Sequence, residues 1–436
     1  MNYQEALAYI NDKDKYGSRL GLSSIGRLME LLGNPQKGLK YLHVAGTNGK
    51  GSVSSYLAHC LQSAGYKTGL YTSPYLERFN ERIQINGVDI PDDDLARITQ
   101  MVKEKAEIML QEGLQHPTTF EIVTAICFVY YQEEKCDYVV LEVGLGGRFD
   151  STNIIDSPLA SIITTLDYDH IDVLGDTLAK IAYQKGGIIK ENGIVVSYPQ
   201  EDEALQVLRD LTKEMNGEFY LDPVDDIVVK SQTEYGSTFD FKLGDTHLRD
   251  LEISMIGEYQ VYNASLAITT LLVLREKKLV SITDEELYQG LNATKWKGRL
   301  EVLDRNPTFL IDGAHNTQGI THLTKALKLF NYKRLILGVA ILKDKDYHHM
   351  VDLLGPLADI VVVTEVRMPR KLDAEILANE FKPLVSEAYV EKDIKKAIEK
   401  TIELADEDDL IVFGGSLYLI GEVRTLFNLL KSNKNK

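Results

Sequence analysis

Residues 45–53 read AGTNGKGSV, a glycine-rich run with one lysine and hydroxyl groups at Thr47 and Ser52. Upstream, YLHVA (41–45) is short and apolar enough for a buried parallel strand, and downstream VSSYLAHCLQSAG has helical spacing. A loop between such a strand and a helix N-terminus offers unpaired amides and the positive end of a dipole to an anion, and glycines let the backbone approach it. Polyphosphate is the expected guest. In that role Asn48, Gly49 and Gly51 belong to the cradle, Lys50 meets the β- and γ-phosphates, and Ser52 or Thr47 lies near a phosphate-bound Mg²⁺. The loop is a variant of G-x-x-x-x-G-K-[ST]: Val44 stands where the first glycine would be, and Gly51 separates Lys50 from Ser52. The plainer alternative is a glycine-rich turn with a solvated lysine.

Four further residues each follow a strand or open a helix on what should be the same sheet edge: Ser73, Glu142, His170 and Lys185. Their convergence with Lys50 points to a metal–phosphate site, because a carboxylate is a hard ligand for Mg²⁺ and neutral imidazole can also ligate. Glu142 ends the apolar strand CDYVVLEVG and opens a second glycine-rich turn, GLGGRFDSTN, at a carboxyl end where open α/β sheets bind ligands.

The elements that must position these groups follow from the hydrophobic periods. A strand KTGLYTS leads into a polar segment, SPYLERFNERIQING (73–87), that reads as a mobile loop ending in a short strand. Helices are expected near 92–112 and 119–134, strands at LASIITTL and GIVVSY, a small antiparallel sheet over about 217–256, and a helix over 258–276. NATKWKGRLEV (292–302) holds the only tryptophan and breaks the periodicity, so a domain boundary is placed there, giving residues 1–295 and 296–436. The second unit alternates strands near 308–312, 333–340, 359–364, 386–390 and 409–414 with helices, a parallel pattern without its own phosphate loop. In FLIDGAHN (309–316), Asp312, His315 and Asn316 crowd a strand-to-helix turn that Asn316 can cap. GVAILKDKDY and FGGSLYLIGEVR also sit at strand ends. The class is therefore α/β: a P-loop domain with a small antiparallel sheet, then a smaller Rossmann-like domain.

Composition narrows the function. With 436 residues the chain exceeds one ordinary core, and 48 basic against 65 acidic residues give a formal charge of −17, which disfavours nucleic acid as a partner. The three cysteines lack metal spacing, and neither a signal peptide nor an apolar run of about 18 residues is present, so a cytoplasmic protein without membrane partners is expected.

Ten ordered motifs then coincide with one family: GTNGKGS (46–52), SPYLERFNERI (73–83), TTFE (118–121), LEVGLGGRFDSTN (141–153), DHIDVLG (169–175), KGGIIK (185–190), GEYQVYNASLA (257–267), WKGRLE (296–301), DGAHN (312–316) and GSLYLIGE (415–422). From Tyr3 to Arg424 the chain resembles the folylpolyglutamate synthases and, in several motifs, the bifunctional bacterial dihydrofolate synthase/folylpolyglutamate synthases, within the ATP-dependent amide ligases that include the Mur enzymes. Two positions depart from the usual pattern, KGGI for KAGI and DGAHNT for DGAHNP, and both spare the functional side chains.

The resemblance implies an enzyme in which a substrate carboxylate attacks the γ-phosphate of ATP and L-glutamate displaces the resulting acyl phosphate. It implies Mg²⁺ ligation by Ser73, Glu142 and His170, a carbamylated Lys185 on a second Mg²⁺, ATP contacts from Asn263, Arg299 and Asp312, and second-domain groups His315 and Ser416 near glutamate and the reaction centre. Arg82, Phe120 and Asp150 would line the pterin side, Asp150 either pairing with the pterin or only capping its own turn. Lys50, Lys185, His170 and His315 are the expected catalytic residues, the partners are folate or dihydropteroate, glutamate and ATP, and the expected state is a monomer. The rivals are a Mur-type ligase for a peptidoglycan precursor and a slow P-loop ATPase switch.

Overall fold

The computed structural model describes residues 1–13 and 21–434. The first sheet begins with β1 (Tyr41–Ala45), β2 (Thr68–Tyr71), β3 (Ile83–Ile85), β4 (Val88–Asp89) and β5 (Tyr138–Glu142). It continues with β6 (Ala160–Ile163), β7 (Ile194–Ser197) and β8 (Glu218–Leu221). The spatial order is β4-β3-β2-β5-β1-β6-β7-β8, parallel from β2 to β8 with β3 and β4 antiparallel at one edge.

Strand alternation divides the apolar residues between two cores. Leu42, Val44 and Val140 face helices Lys50–Ser63 and Glu258–Glu276, whereas Tyr41, Val139 and Leu141 face helices Asp92–Gln111 and Thr119–Glu133. Helix Thr119–Glu133 is buried continuously from Glu121 to Tyr131, as its apolar, barely amphipathic sequence demands. Thr118 and Glu121 of TTFE form its capping box, so part of that motif serves to start a helix.

A three-stranded antiparallel sheet follows: β9 (Val228–Thr233), β10 (Gly236–Leu243) and β11 (Thr246–Ile253). It starts later than predicted. The segment EFYL, expected within it, instead extends the first sheet as edge strand β8, parallel to β7. The polar segment after Ser73 also differs from expectation, since Phe79, Asn80 and Glu81 are buried in a short 3₁₀ turn rather than lying loose. Glu81 accepts the Leu76 and Glu77 amides at 2.8 and 3.1 Å, which fixes that turn.

After helix Asp284–Ala293 the chain enters a six-stranded sheet: β12 (Glu301–Arg305), β13 (Thr308–Ile311), β14 (Leu335–Val339), β15 (Ile360–Val363), β16 (Glu387–Val390) and β17 (Leu410–Gly414). Its order is β12-β13-β17-β14-β15-β16. The five predicted strands are parallel, and β12, which was not anticipated, pairs antiparallel to β13 at the edge. Polar pairs join the two sheet regions: Lys297 to Glu81 at 3.0 Å, Thr425 to Glu77 at 2.8 Å, and Arg424 to Glu77, Arg424 being held in turn by Glu301 of its own unit at 2.9 Å.

Candidate active site

The order β2-β5-β1-β6 places four carboxyl ends side by side, and the connections leave β1 toward both edges, the topology at which open sheets hold ligands. Ser73 follows β2, Glu142 ends β5, the phosphate-loop candidate follows β1, and Asp169 and His170 come after β6.

The loop folds as its glycines require. Gly49 caps helix Lys50–Ser63 with φ +85°, and a Cβ there would lie 2.6 Å from Asn263 Oδ1. A Cβ on Gly51 would strike the Trp296 ring at 2.9 Å, so the tryptophan at the junction packs on the loop and keeps this position a glycine. Thr47 Oγ1 donates to Asp167 O and accepts its N–H, both at 3.0 Å, while buried Ser52 Oγ accepts from Gln260 Nε2 at 3.3 Å. Gln260 in turn accepts from Asn263 Nδ2 at 3.0 Å, so the helix behind the loop is tied to it.

Two lysines meet at one carbonyl. Lys50 Nζ donates to Gly46 O at 3.1 Å and to Thr47 O at 3.3 Å, and Lys185 Nζ donates to the same Gly46 O at 2.7 Å. Lys185 is 5% exposed, and burial, then the nearby charge of Lys50, lowers its pKa to about 7. A small cavity of about 40 Å³, room for roughly one water, lies between these amines, Thr47, the Val143–Gly146 turn, Asp169 and His170.

Glu142 is the complementary group. It is buried, and among the described residues its hydrogen bond comes from Ser73 N–H at 3.2 Å. Burial raises its pKa to about 7 against the opposing influence of Lys50, the Ser73 amide, Arg299 and Arg82. A buried carboxylate with so few donors retains lone pairs for a cation, so Glu142 and Ser73 fit a hard divalent ion. Among the described residues no three His, Cys, Asp or Glu side chains are grouped as a metal site. His170 sits at φ +50° with its ring half exposed and Nε2 3.7 Å from Asp169 Oδ2. An ion here would complete its shell with phosphate and water, the usual habit of Mg²⁺.

The second sheet brings Asp312, His315 and Ser416 to its own carboxyl edge. Asp312 is buried and accepts Leu300 N–H at 2.9 Å and Ala314 N–H at 2.8 Å. Arg299 stands close by, one guanidinium nitrogen within 2.2 Å of where a Gly313 Cβ would be. His315 Nδ1 lies 2.8 Å from Gly313 O and must donate there, leaving the Nε2 lone pair free; burial first, then neighbouring cations, lower its pKa to about 4. Ser416 Oγ is buried without a hydrogen-bond partner.

On the folate side, Phe120 packs against Gly144, where a Cβ would be 2.4 Å from the ring, and its centroid lies 6.1 Å from that of Tyr71. The Arg82 guanidinium lies 5.3 Å from the Tyr75 ring and 5.5 Å from Phe79, with Nε buried and unpartnered. Asp150 makes its hydrogen bonds within its own turn. Its Oδ1 accepts the Thr152 N–H at 3.0 Å and the Thr152 hydroxyl at 2.6 Å, and its Oδ2 accepts Leu145 N–H at 2.9 Å. The carboxylate is thus turned onto its own loop, where it meets three donors. It caps the turn, the alternative left open by the sequence.

Groups not singled out from sequence also enter the site. Lys345 Nζ crosses from the second sheet to Asp169 at 3.5 Å, although adjacency to His170 could have flagged Asp169. Asn48 Oδ1 accepts Asn316 Nδ2 at 3.1 Å and its amide donates to Gln318.

Comparison with known proteins decides the family. The Mur ligase middle domain matches residues 44–271, and the Mur ligase glutamate ligase domain matches 298–417. The dihydrofolate synthase/folylpolyglutamate synthase of Bacillus subtilis is 36% identical over 97% of this chain and 98% of that protein. The chain belongs to this folylpolyglutamate synthase family of Mur-type ligases. Its fold agrees with that of the Mycobacterium tuberculosis folylpolyglutamate synthase complexed with ADP, at a TM-score of 0.88, 29% identity and coverage of 98% of this chain and 99% of that one. A folylpolyglutamate synthase–AMPPCP–folate complex matches at 0.83, with 34% identity and coverage of 98% and 100%. In this folylpolyglutamate synthase family member the phosphate-loop candidate, the turn after Glu142, DGAHN and GSLYLIGE follow strand ends, while TTFE and GEYQVYNASLA start helices.

Proposed function

We propose that the chain is an ATP-dependent carbon–nitrogen ligase that joins L-glutamate to a folate, and also to dihydropteroate. A substrate carboxylate oxygen attacks the γ-phosphorus and ADP leaves; the glutamate amine then attacks the acyl carbon and phosphate leaves. The observation that carries the reading is the meeting of Lys50 and a buried, easily deprotonated Lys185 at Gly46 O, with the under-satisfied Glu142 on the adjoining strand. The named relatives and the ADP and folate complexes among them support the substrate classes.

In this reading the loop residues Thr47–Ser52 hold the phosphates, Lys50 and Arg299 lie against charge gained by the transferred phosphoryl group, and Asn263 and Asp312 shape the nucleotide's surroundings. Mg²⁺ would be held by Ser73 and Glu142, with His170 and carbamylated Lys185 as further ligands, and would neutralise phosphate charge. A neutral Lys185 amine is the form able to take up CO₂, and burial supplies it near pH 7. His315, neutral with Nε2 free, orients the incoming amine, and Ser416 offers its unpartnered hydroxyl to glutamate. Arg82 and Phe120 line the pteroyl side.

The three cysteines are free, buried thiols, which suits a reducing cytoplasm. A monomer is favoured because one chain supplies both halves of the site. Among the described residues, no helix is long and apolar enough to cross a membrane. The test is phosphate release with ATP and glutamate across a panel of pteroates and folates. Release that depends on both glutamate and a pteroyl carboxylate is expected; release indifferent to both would make the chain an ATPase of another kind.

A further inference from the structure

The residue at the middle of the phosphate loop is held from two sides. From its own domain, the Asn48 carbonyl accepts the Thr164 hydroxyl at 2.6 Å and the Thr165 hydroxyl at 3.3 Å. From the second domain, its carboxamide is matched in both senses: Oδ1 accepts Asn316 Nδ2 at 3.1 Å, and Nδ2 donates to Gln318 Oε1. Asn316 also caps helix Thr317–Leu327, its Oδ1 accepting Gly319 N–H at 2.8 Å. One carboxamide therefore starts the helix and grips the phosphate loop, while Gln318 closes the other half of the clasp. His315, with its free Nε2, is the residue before Asn316.

We infer that Gln318 is a positioning residue that sets the register between the two halves of the reaction. The phosphate loop is where the acyl phosphate would form, and the turn carrying His315 is where the attacking amine would be presented. These groups lie on separate domains some 270 residues apart in sequence, and the Asn48 clasp is a direct side-chain link between loop and turn. A misplacement of about an ångström between reacting groups costs about a hundredfold in rate, so a link of this kind governs amine capture more than phosphoryl transfer. The inference rests on the ligase reading above.

The test separates the two half-reactions in the full-length enzyme, measuring phosphate released and amide product formed with saturating ATP and folate across a glutamate titration. The wild type should release about one phosphate per amide bond. Gln318→Met keeps the bulk and removes the acceptor, and Gln318→Ala removes both. Each should raise KM for glutamate about tenfold and release several phosphates per amide as unattacked acyl phosphate hydrolyses, with an unchanged thermal midpoint. On kcat/KM for glutamate, Asn48→Ala and Gln318→Ala should be non-additive, the pair costing little more than one alone. Wild-type stoichiometry and KM in both Gln318 variants, or additive losses in the pair, would overturn the clasp. A wild type that binds ATP yet forms no amide would overturn the ligase reading and this role with it.

Discussion

The carboxyl edges of the two parallel sheets use the same residue types to opposite ends. At the second sheet, burial raises the pKa of Asp312 as well, but two backbone amides and Arg299 oppose that shift. At the first, Glu142 is equally buried with one long amide contact, and Lys185 is an amine enclosed beside another amine. Burial shifts both groups of the first edge toward neutrality. A fold keeps such groups where something else completes them. The first edge leaves its carboxylate under-satisfied, whereas the second holds its carboxylate with backbone amides and leaves the Ser416 hydroxyl unpartnered among the described residues.

The largest effect should come from Lys50. On the proposed reading, Lys50→Ala removes the loop's cation together with its hydrogen bonds to Gly46 O and Thr47 O, and a fall in kcat on the order of 10² or more is expected. Near-normal turnover would break the contrast at its strongest point.

The contrast is sharpest in a pair of isosteric changes. Glu142→Gln should lower kcat/KM by about 10² and raise the thermal midpoint at pH 8. The folded pKa of Glu142 is raised to about 7, so ionisation in the folded state costs stability as pH climbs from the unfolded carboxylate value through 7. The gain should therefore be full at pH 8 and fade toward pH 5. Asp312→Asn should do the reverse for stability, because its amide would face one of the two N–H donors and cost about 2 kcal/mol. Differential scanning calorimetry of both variants, with wild-type order at pH 8, would contradict the comparison if Glu142→Gln melted lower than Asp312→Asn.

Lys185 gives a smaller, pH-dependent effect. Its lowered pKa leaves the amine increasingly neutral as pH rises through about 7, whereas an unfolded lysine stays charged to about 10. Enzyme stripped of CO₂ should lose several-fold in rate and recover on adding bicarbonate, faster at pH 8 than at pH 6, in step with the neutral amine. Recovery independent of pH, or no loss at all, would argue for a plain lysine.

What the sequence exposed follows from how local each feature is. The turn after β1 was legible because a strand, glycines, a lysine and a helix lie within about twenty consecutive residues; Ser73 and Glu142 were legible at strand ends, whereas Lys185, expected after a strand or at a helix start, ends helix Leu178–Lys185. EFYL was misplaced because four residues on a half-exposed edge carry no pattern that distinguishes β8 from the sheet that follows. The Asn48–Gln318 clasp had no signature, being two carboxamides joined only when distant elements pack. For Asp150 the sequence left two directions open, pterin or turn, and the side chain lies on the turn.

Asp150 therefore yields the smallest and most discriminating prediction. Its carboxylate holds the Leu145 amide and both donors of Thr152, in the turn whose other end carries Gly144 against Phe120. Asp150→Ala should cost about 1–2 kcal/mol as a lost cap and loosen the wall against Phe120. A residue acting through the turn impairs every pteroyl substrate alike, while one that pairs with the pterin impairs dihydropteroate most. Glutamate-dependent ADP formation should be compared with dihydropteroate and tetrahydrofolate in wild type and variant. We expect activity on both in the wild type and an equal fractional loss in Asp150→Ala. A loss confined to dihydropteroate would return Asp150 to the pterin contacts, because the turn alone offers no reason for the two substrates to part.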